Sequence, residues 1–254
     1  MEFNEFFFEM FHPSLKRHGP GSDRETERAL SSLQPLISPG DRQPLQVIDI
    51  GCGVGPQTLA LARRLPCAIT AVDNHQPFLD EMMRRADQAG VAKKIKPVCK
   101  DMALLQAADG PFDLVWSEGA LFAMGVIKGM SVCRDLLRPG GCLAVTDLCW
   151  WSADPPAPCR EFFAACYPEM PGEDAILAAI REAGLAEISH FRLPDSAWTD
   201  NYFGPMEKRL KELEKRYGSD SEKMKAIAEV RAESDIFRDY SAHYGYVFFL
   251  ARRV

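Results

Sequence analysis

No C-x-x-C pair occurs in this chain, although it holds eight cysteines, at positions 52, 67, 99, 133, 142, 149, 159 and 166. Without close pairing, and without the short secreted length of a disulfide framework, these thiols read as small hydrophobes packed in strands and helices. Cys142, Cys149, Cys159 and Cys166 invite a zinc or metalloid reading that their wide spacing does not support. His12, His18, His75, His190 and His243 show no ligand spacing either, so no metal is expected. An excess of positive charge is also missing: 30 Lys and Arg stand against 36 Asp and Glu, a formal net charge of -6. That disfavours nucleic acid as a partner, because phosphate binding needs a basic face. The greasy start at residues 1–11 carries Glu2, Glu5 and Glu9 and no early Lys or Arg, which is not a signal peptide. No run is long enough to span a bilayer, so no membrane partner is expected and the protein reads as cytoplasmic. Internal repeats and low-complexity tracts are absent.

What is present is an ordinary globular composition, with 46% apolar and 26% charged residues in 254. That length suits one α/β domain with an elaboration. The chain is organised around Val47-Ile48-Asp49-Ile50-Gly51-Cys52-Gly53-Val54-Gly55, followed by the helical pattern Pro56–Leu65. A β-rich run, three alternating glycines and an immediate helix form the strand, turn and helix of a nucleotide-binding βα unit. Glycines let the turn approach a ligand closely, and the helix N-terminus offers unpaired N–H groups. The dinucleotide fingerprint G-x-G-x-x-G needs a glycine at 56, where Pro56 stands. Proline is well tolerated at a first helical position, so the helix is secure while the pyrophosphate spacing is missing.

Alternating strands and helices follow from Leu45. Strands are expected at 46–50, 68–73, 95–99, 112–116, 142–148, 186–193 and 244–252, with helices at 57–65, 76–89, 125–137 and 172–183. This rhythm implies an α/β fold, a doubly wound, mostly parallel seven-stranded sheet. Residues 1–44 form an N-terminal helical cover: an amphipathic helix over 3–18, a break at His18-Gly19-Pro20-Gly21-Ser22, and a helix capped by Ser22 or Asp23. A linker through Pro35, Pro39-Gly40 and Pro44 leads into a domain over 45–254. About fifty residues separate the sixth and seventh strands. They read as a helical cap insertion over about 195–243, with helices at about 205–217 and 221–240, and an insertion of that length is usually functional.

Asp73-Asn74 ends the second strand, where an acidic side chain meets both ribose hydroxyls of a bound nucleoside; a helix N-cap is the competing role. Lys100-Asp101-Met102 follows the third strand, Trp116-Ser117-Glu118-Gly119-Ala120 ends the fourth, and Leu136-Leu137-Arg138-Pro139-Gly140-Gly141 precedes the fifth. With the G-x-G-x-G turn, these four stretches in this order over residues 45–150 resemble the class I S-adenosylmethionine-dependent methyltransferases. The stretches at 18–22, 116–120, 197–202 and 244–249 are similar to a little-characterised microbial branch of that family. The resemblance implies a Rossmann-like methyltransferase sheet and S-adenosylmethionine as cofactor, with S-adenosylhomocysteine as product. It implies cofactor contacts at His18, Gly51, Gly53, Gly55, Gln57, Asp73, Asn74, Asp101, Met102 and Ser117, with Asp101 accepting the adenine amino group. It implies that cofactor sulfur and acceptor meet near Glu118, the candidate general base by position; a purely structural carboxylate is the alternative.

Trp150, Trp151, Trp198 and Tyr202 fall near the carboxyl edge and could wall a small-molecule substrate, or glue the insertion to the core. The family's Asn-Pro-Pro-Tyr motif is absent at the fourth strand, which weighs against exocyclic amine or amide acceptors. The expected function is methyl transfer to a small molecule by in-line displacement. A non-catalytic cofactor-binding protein on the same fold is the alternative, and a nicotinamide oxidoreductase is weakened by Pro56. The two segments outside the core are expected to close the site, or else to form a homodimer interface.

Overall fold

A computed structural model describes residues 5–37 and 44–254. The chain opens with α1 (Glu5–Met10) and α2 (Asp23–Leu33), the latter capped by Ser22, whose side chain accepts from the Arg24 N–H. The helix expected over 3–18 is therefore much shorter. Pro13 disfavours helical backbone at His12, and the chain leaves α1 through turns to Gly21; Phe3 lies outside the described residues, as does Pro39-Gly40 of the linker.

The core then alternates: β1 (Leu45–Ile50), α3 (Pro56–Arg64), β2 (Cys67–Asp73), α4 (Gln76–Gln88), β3 (Ile95–Cys99), β4 (Phe112–Glu118), α5 (Val126–Leu136) and β5 (Leu137–Trp150). β5 starts five residues before its expected beginning. Pro139-Gly140-Gly141 is absorbed as an irregularity in its pairing with β4, with Gly140 at φ +73, rather than standing as a separate turn. The helix α6 (Ala157–Cys166) was not expected. It begins directly after Pro155-Pro156, and its ten residues are too few for a clear periodic signal. There follow α7 (Glu173–Glu182), β6 (Leu185–Arg192), α8 (Asp195–Trp198), α9 (Gly204–Tyr217), α10 (Ser221–Tyr240) and β7 (Tyr244–Arg253). The two long insertion helices lie within a residue of their expected positions.

The seven strands run in the order β3-β2-β1-β4-β5-β7-β6, all parallel except β7, which is antiparallel to both neighbours. Chain progression reverses between β1 and β4, and a doubly wound sheet opens its ligand crevice at the carboxyl ends of such a pair. Alternation along the strands divides the core into two layers. Val47, Leu114, Trp116 and Phe248 pack with α2, α3, α4 and the insertion, while Ile48, Val115, Val145 and Phe249 pack with α5 and α7. All eight cysteines are free, and all but Cys99 and Cys166 are buried.

The insertion and the N-terminal segment meet each other as well as the core. Arg209 of α9 donates to the Glu9 carbonyl at 2.9 Å, and Arg216 pairs with the Glu9 carboxylate at 2.8 Å. Arg85 of α4 donates to the carbonyls of Pro13 (2.7 Å) and Leu15 (2.9 Å), strapping residues 13–16 across the sheet edge.

Candidate cofactor and acceptor site

The turn after β1 holds Gly51, Gly53 and Gly55 at φ +70, +54 and +78. At Gly51 a Cβ would stand 2.3 Å from the Ala120 Cβ, and at Gly55 2.2 Å from Met82. Those two positions need glycine for packing as well as for the left-handed backbone. At Gly53 the nearest atom to such a Cβ is His18 Nδ1, at 3.8 Å, so here the turn faces open space that a ligand can approach. Below the turn lies Asp49, fully buried, accepting from Thr58 Oγ1 and, at 3.4 Å, from Gln57 Nε2. Burial pushes its carboxyl up to about 7, opposed by the Thr58 hydrogen bond. Gln57 also donates to the Cys52 carbonyl at 3.2 Å, so its amide braces the turn from inside.

Asp73 closes the turn against β2. Its Oδ2 accepts from Gly53 N–H and its Oδ1 from His75 N–H, both at 2.9 Å. α4 starts at Gln76 with no side-chain cap from His75, so Asp73 clamps two loops rather than capping the helix. Each oxygen keeps a lone pair, and the residue lines a small cleft with Gly51, Val72, Asn74, Lys100 and Met102. Burial raises its pKa, with the His75 and Gly53 N–H groups opposing. Asp101 is exposed and accepts from Ala103 N–H at 2.8 Å, outside that lining. Ser117 is buried and donates to the Ile50 carbonyl at 2.8 Å, tying β4 to β1 at the crevice.

Glu118, at the end of β4, is engaged on both oxygens. Oε1 accepts from Thr26 Oγ1 (2.7 Å) and Trp116 Nε1 (2.9 Å), while Oε2 pairs with Arg17 at 3.1 Å. The Arg17 and Glu118 side chains are 5% and 6% exposed. Gly21 is wedged beside this pair and donates its N–H to the Ala197 carbonyl at 3.2 Å, so the strap is seated between β4 and the insertion. His18 is next in the strap. Its Nε2 lies 3.1 Å from the His12 carbonyl, which assigns the proton to that nitrogen. Nδ1 is then an acceptor, buried and without a partner, facing Gly53. Burial lowers the pKa of His18 to about 4, so the ring is neutral.

The four expected aromatic residues separate. Trp198 stacks on Phe237 at 4.5 Å, and Tyr202 donates to Glu233 at 2.8 Å, both inside the insertion's core. Trp151 packs on the other face, against Gly245 and beneath Arg192. Trp150 lines a second cleft of about 290 Å³ beyond the end of β5, with Phe163, Tyr167 and Arg160. Sequence reasoning passed over Arg17, Thr26, Asp147, Tyr167 and Glu233. Only Asp147 carried a local signal, a carboxylate in the apolar run Ala144–Leu148.

Residues 47–141 match the family model described as "Methyltransferase domain". Among curated proteins, the chain is similar to Methyltransferase GfsG of Streptomyces halstedii, 28% identical over 46% of this chain and 47% of that protein. The chain thus spans about half the length of that relative. Among solved structures, it superposes on a SAM-dependent methyltransferase of Geobacter sulfurreducens in complex with S-adenosyl-L-homocysteine, with a TM-score of 0.81, 18% identity, and 100% of this chain and 99% of the other covered. A SAM-dependent methyltransferase of Thiobacillus denitrificans in the same complex gives 0.81 at 19% identity, with 100% of each chain covered. At such identities the superpositions speak for the fold, and the matched domain spans the strands that carry the glycine turn and Glu118. Residues 47–141 thus carry a methyltransferase domain, and the chain as a whole has the fold of these S-adenosylmethionine-dependent methyltransferases.

Proposed function

We propose that this chain binds S-adenosylmethionine at the carboxyl ends of β1, β2 and β4 and methylates a small-molecule acceptor held beyond Glu118 and Gly119. The observation that carries the reading is the convergence of the open Gly53 position, the unpartnered His18 Nδ1 and the Asp73 carboxylate around one crevice. The residues fit the cofactor's polar groups. Asp73 keeps two lone pairs for the ribose hydroxyls, Asn74 and Met102 border the base, and His18 Nδ1 accepts from the amino group. The bound cofactor supplies an electrophilic methyl on a sulfonium.

The protein's part is to position the acceptor at about 3–3.5 Å and to exclude water. The strap at 13–22 and the insertion provide that exclusion, since both lie over the crevice and are joined through Glu9 and Gly21. Residues 5–37 and 195–243 thus act as covers on a core that starts at β1. Glu118, held by three donors, serves as the anchor of the strap; to take a proton it would first have to release Arg17.

Calorimetry tests the reading directly. S-adenosylhomocysteine should bind and raise the melting temperature by mass action, and NAD should do neither. Binding of NAD without binding of S-adenosylhomocysteine would overturn it. Turnover of methyl-labelled cofactor against a metabolite panel then separates an enzyme from a binding protein.

A further inference from the structure

The cleft beyond the end of β5 holds about 290 Å³, at the small end of the range for ligand sites, and its wall is mostly ring and hydrocarbon. Trp150 and Phe163 meet edge-on there at 5.4 Å, and Tyr167 and Pro168 continue the wall. Among the residues that line it, Arg160 alone carries a charge. It stands on the first turn of α6, where the helix dipole disfavours a cation and favours an anion. Its Nη1 donates to the Asp154 carboxylate at 2.7 Å and to the Pro155 carbonyl at 2.8 Å. Nε and Nη2 make no hydrogen bond among the described residues. Those two nitrogens form the edge of a guanidinium that grips a carboxylate through parallel N–H···O bonds. The Asp154 side chain is 93% exposed, so its pair with Arg160 adds little to stability.

Tyr167 links this cleft to the crevice at the glycine turn. Its hydroxyl donates to Asp147 Oδ1 at 3.4 Å, and its ring lies 5.9 Å from that of Phe122. Phe122 belongs to the turn directly after Glu118-Gly119-Ala120, and Ala120 is the residue that packs over Gly51. Gly119 N–H donates to the Thr146 carbonyl, one residue before Asp147. A wall of rings with one cation beside it suits a molecule with an apolar or aromatic body and a single negative charge. A neutral molecule gains nothing from the free guanidinium edge, and an ammonium would meet a like charge. Asp154 already sits on the same guanidinium, so a dianion such as a phosphate monoester would keep uncompensated charge.

We propose that this cleft is the acceptor site and that the acceptor is a monocarboxylate with an aromatic or apolar body. Arg160 holds the carboxylate through Nε and Nη2, and Trp150, Phe163 and Tyr167 hold the body. The proposal rests on the methyltransferase reading above and names its substrate class. The carboxylate is an anchor rather than the methylated group. Arg160, with its side chain 52% exposed, stands on the solvent side of the cleft, while the glycine turn lies past Tyr167. The group that takes the methyl is therefore a second one, at the other end of the body.

The test uses 3-phenylpropionate against 3-phenylpropanamide, which has nearly the same shape and no charge. Each is titrated calorimetrically into the full chain, with and without S-adenosylhomocysteine. The acid should bind at least about tenfold more tightly than the amide, as hydrogen bonds between charged groups require. It should bind the chain loaded with S-adenosylhomocysteine as well as it binds the free chain. Arg160→Gln should remove the preference for the acid while leaving amide binding and the melting temperature unchanged. Equal binding of acid and amide, or no binding of the acid by the folded protein, overturns the proposal. So does a preference that survives Arg160→Gln, or loss of acid binding once S-adenosylhomocysteine is bound. Acid binding that depends on Arg160, in a chain that does not bind S-adenosylhomocysteine, would instead defeat the cofactor reading and keep the carboxylate site.

Discussion

Glu118→Gln separates an anchor from a base. The Arg17–Glu118 pair is 3.1 Å long and both side chains are nearly inaccessible, at 5% and 6%. The amide keeps Oε1 as an acceptor for Thr26 and Trp116, so the perturbation falls on the Arg17 contact, which loses both the charge and its acceptor. Arg17 is then left as a buried cation whose remaining partner, Asp23 at 3.2 Å, is 45% exposed. Breaking a buried pair costs about 3–5 kcal/mol, and a half-exposed partner returns no more than about 1 kcal/mol. The expected loss is therefore about 2–4 kcal/mol. Arg17→Met in the same background should recover part of it, because the uncompensated charge is gone. Urea denaturation of the two single variants and the double variant measures the coupling. Hydrogen exchange over residues 17–26 should rise in Glu118→Gln, as the strap loses its seat. Unchanged stability and exchange, with methyl transfer abolished, would refute the anchor and restore Glu118 as a base.

Asp73→Ala should weaken S-adenosylhomocysteine by about 1.5–3 kcal/mol, the worth of hydrogen bonds to a charged acceptor. It should also lower stability, since Gly53 and His75 N–H lose their acceptor; unchanged calorimetric affinity would remove Asp73 from the cofactor site. His18, with its folded pKa lowered by burial to about 4 from the ordinary imidazole value of about 6.5, binds its proton less readily when folded than unfolded. Stability should therefore fall as pH drops from about 6.5 towards 4 and lose nothing more to this group below that. His18→Gln should flatten that limb in denaturation curves taken across the same window. Finally, amide exchange over 8–22 and 195–240 should slow when S-adenosylhomocysteine binds; equal protection with and without ligand would make these segments fixed decoration.

The architecture and the glycine turn were legible in the chain because both are written in local pattern. Two-residue and 3.6-residue periodicity marks strands and helices, and G-x-G-x-G before Pro56 needs only neighbouring residues to be read. The long helices of the insertion were legible for the same reason: α9 and α10 are each several turns of amphipathic sequence with Gly218 between them. Where signals were short, pattern failed. α6 hides behind two prolines, and Pro13 cut the first helix to Glu5–Met10 although its apolar spacing continued. Residue type alone also could not say which way a side chain faces. Trp150, Trp151, Trp198 and Tyr202 looked alike in sequence, yet Trp150 borders the cleft beyond β5, while Trp151 packs in the opposite layer and α10 covers the other two.

Pairing across the chain was decided by tertiary structure alone. Arg17 meets Glu118 across 101 positions and Arg209 meets Glu9 across 200, separations over which no periodicity carries information. Those contacts engage both oxygens of Glu118, the expected base, with three donors. The same assembly leaves Asp147 buried with no cation beside it among the described residues. What a carboxylate does depends on which charges lie within a few ångströms of it, and that is a property of the folded chain.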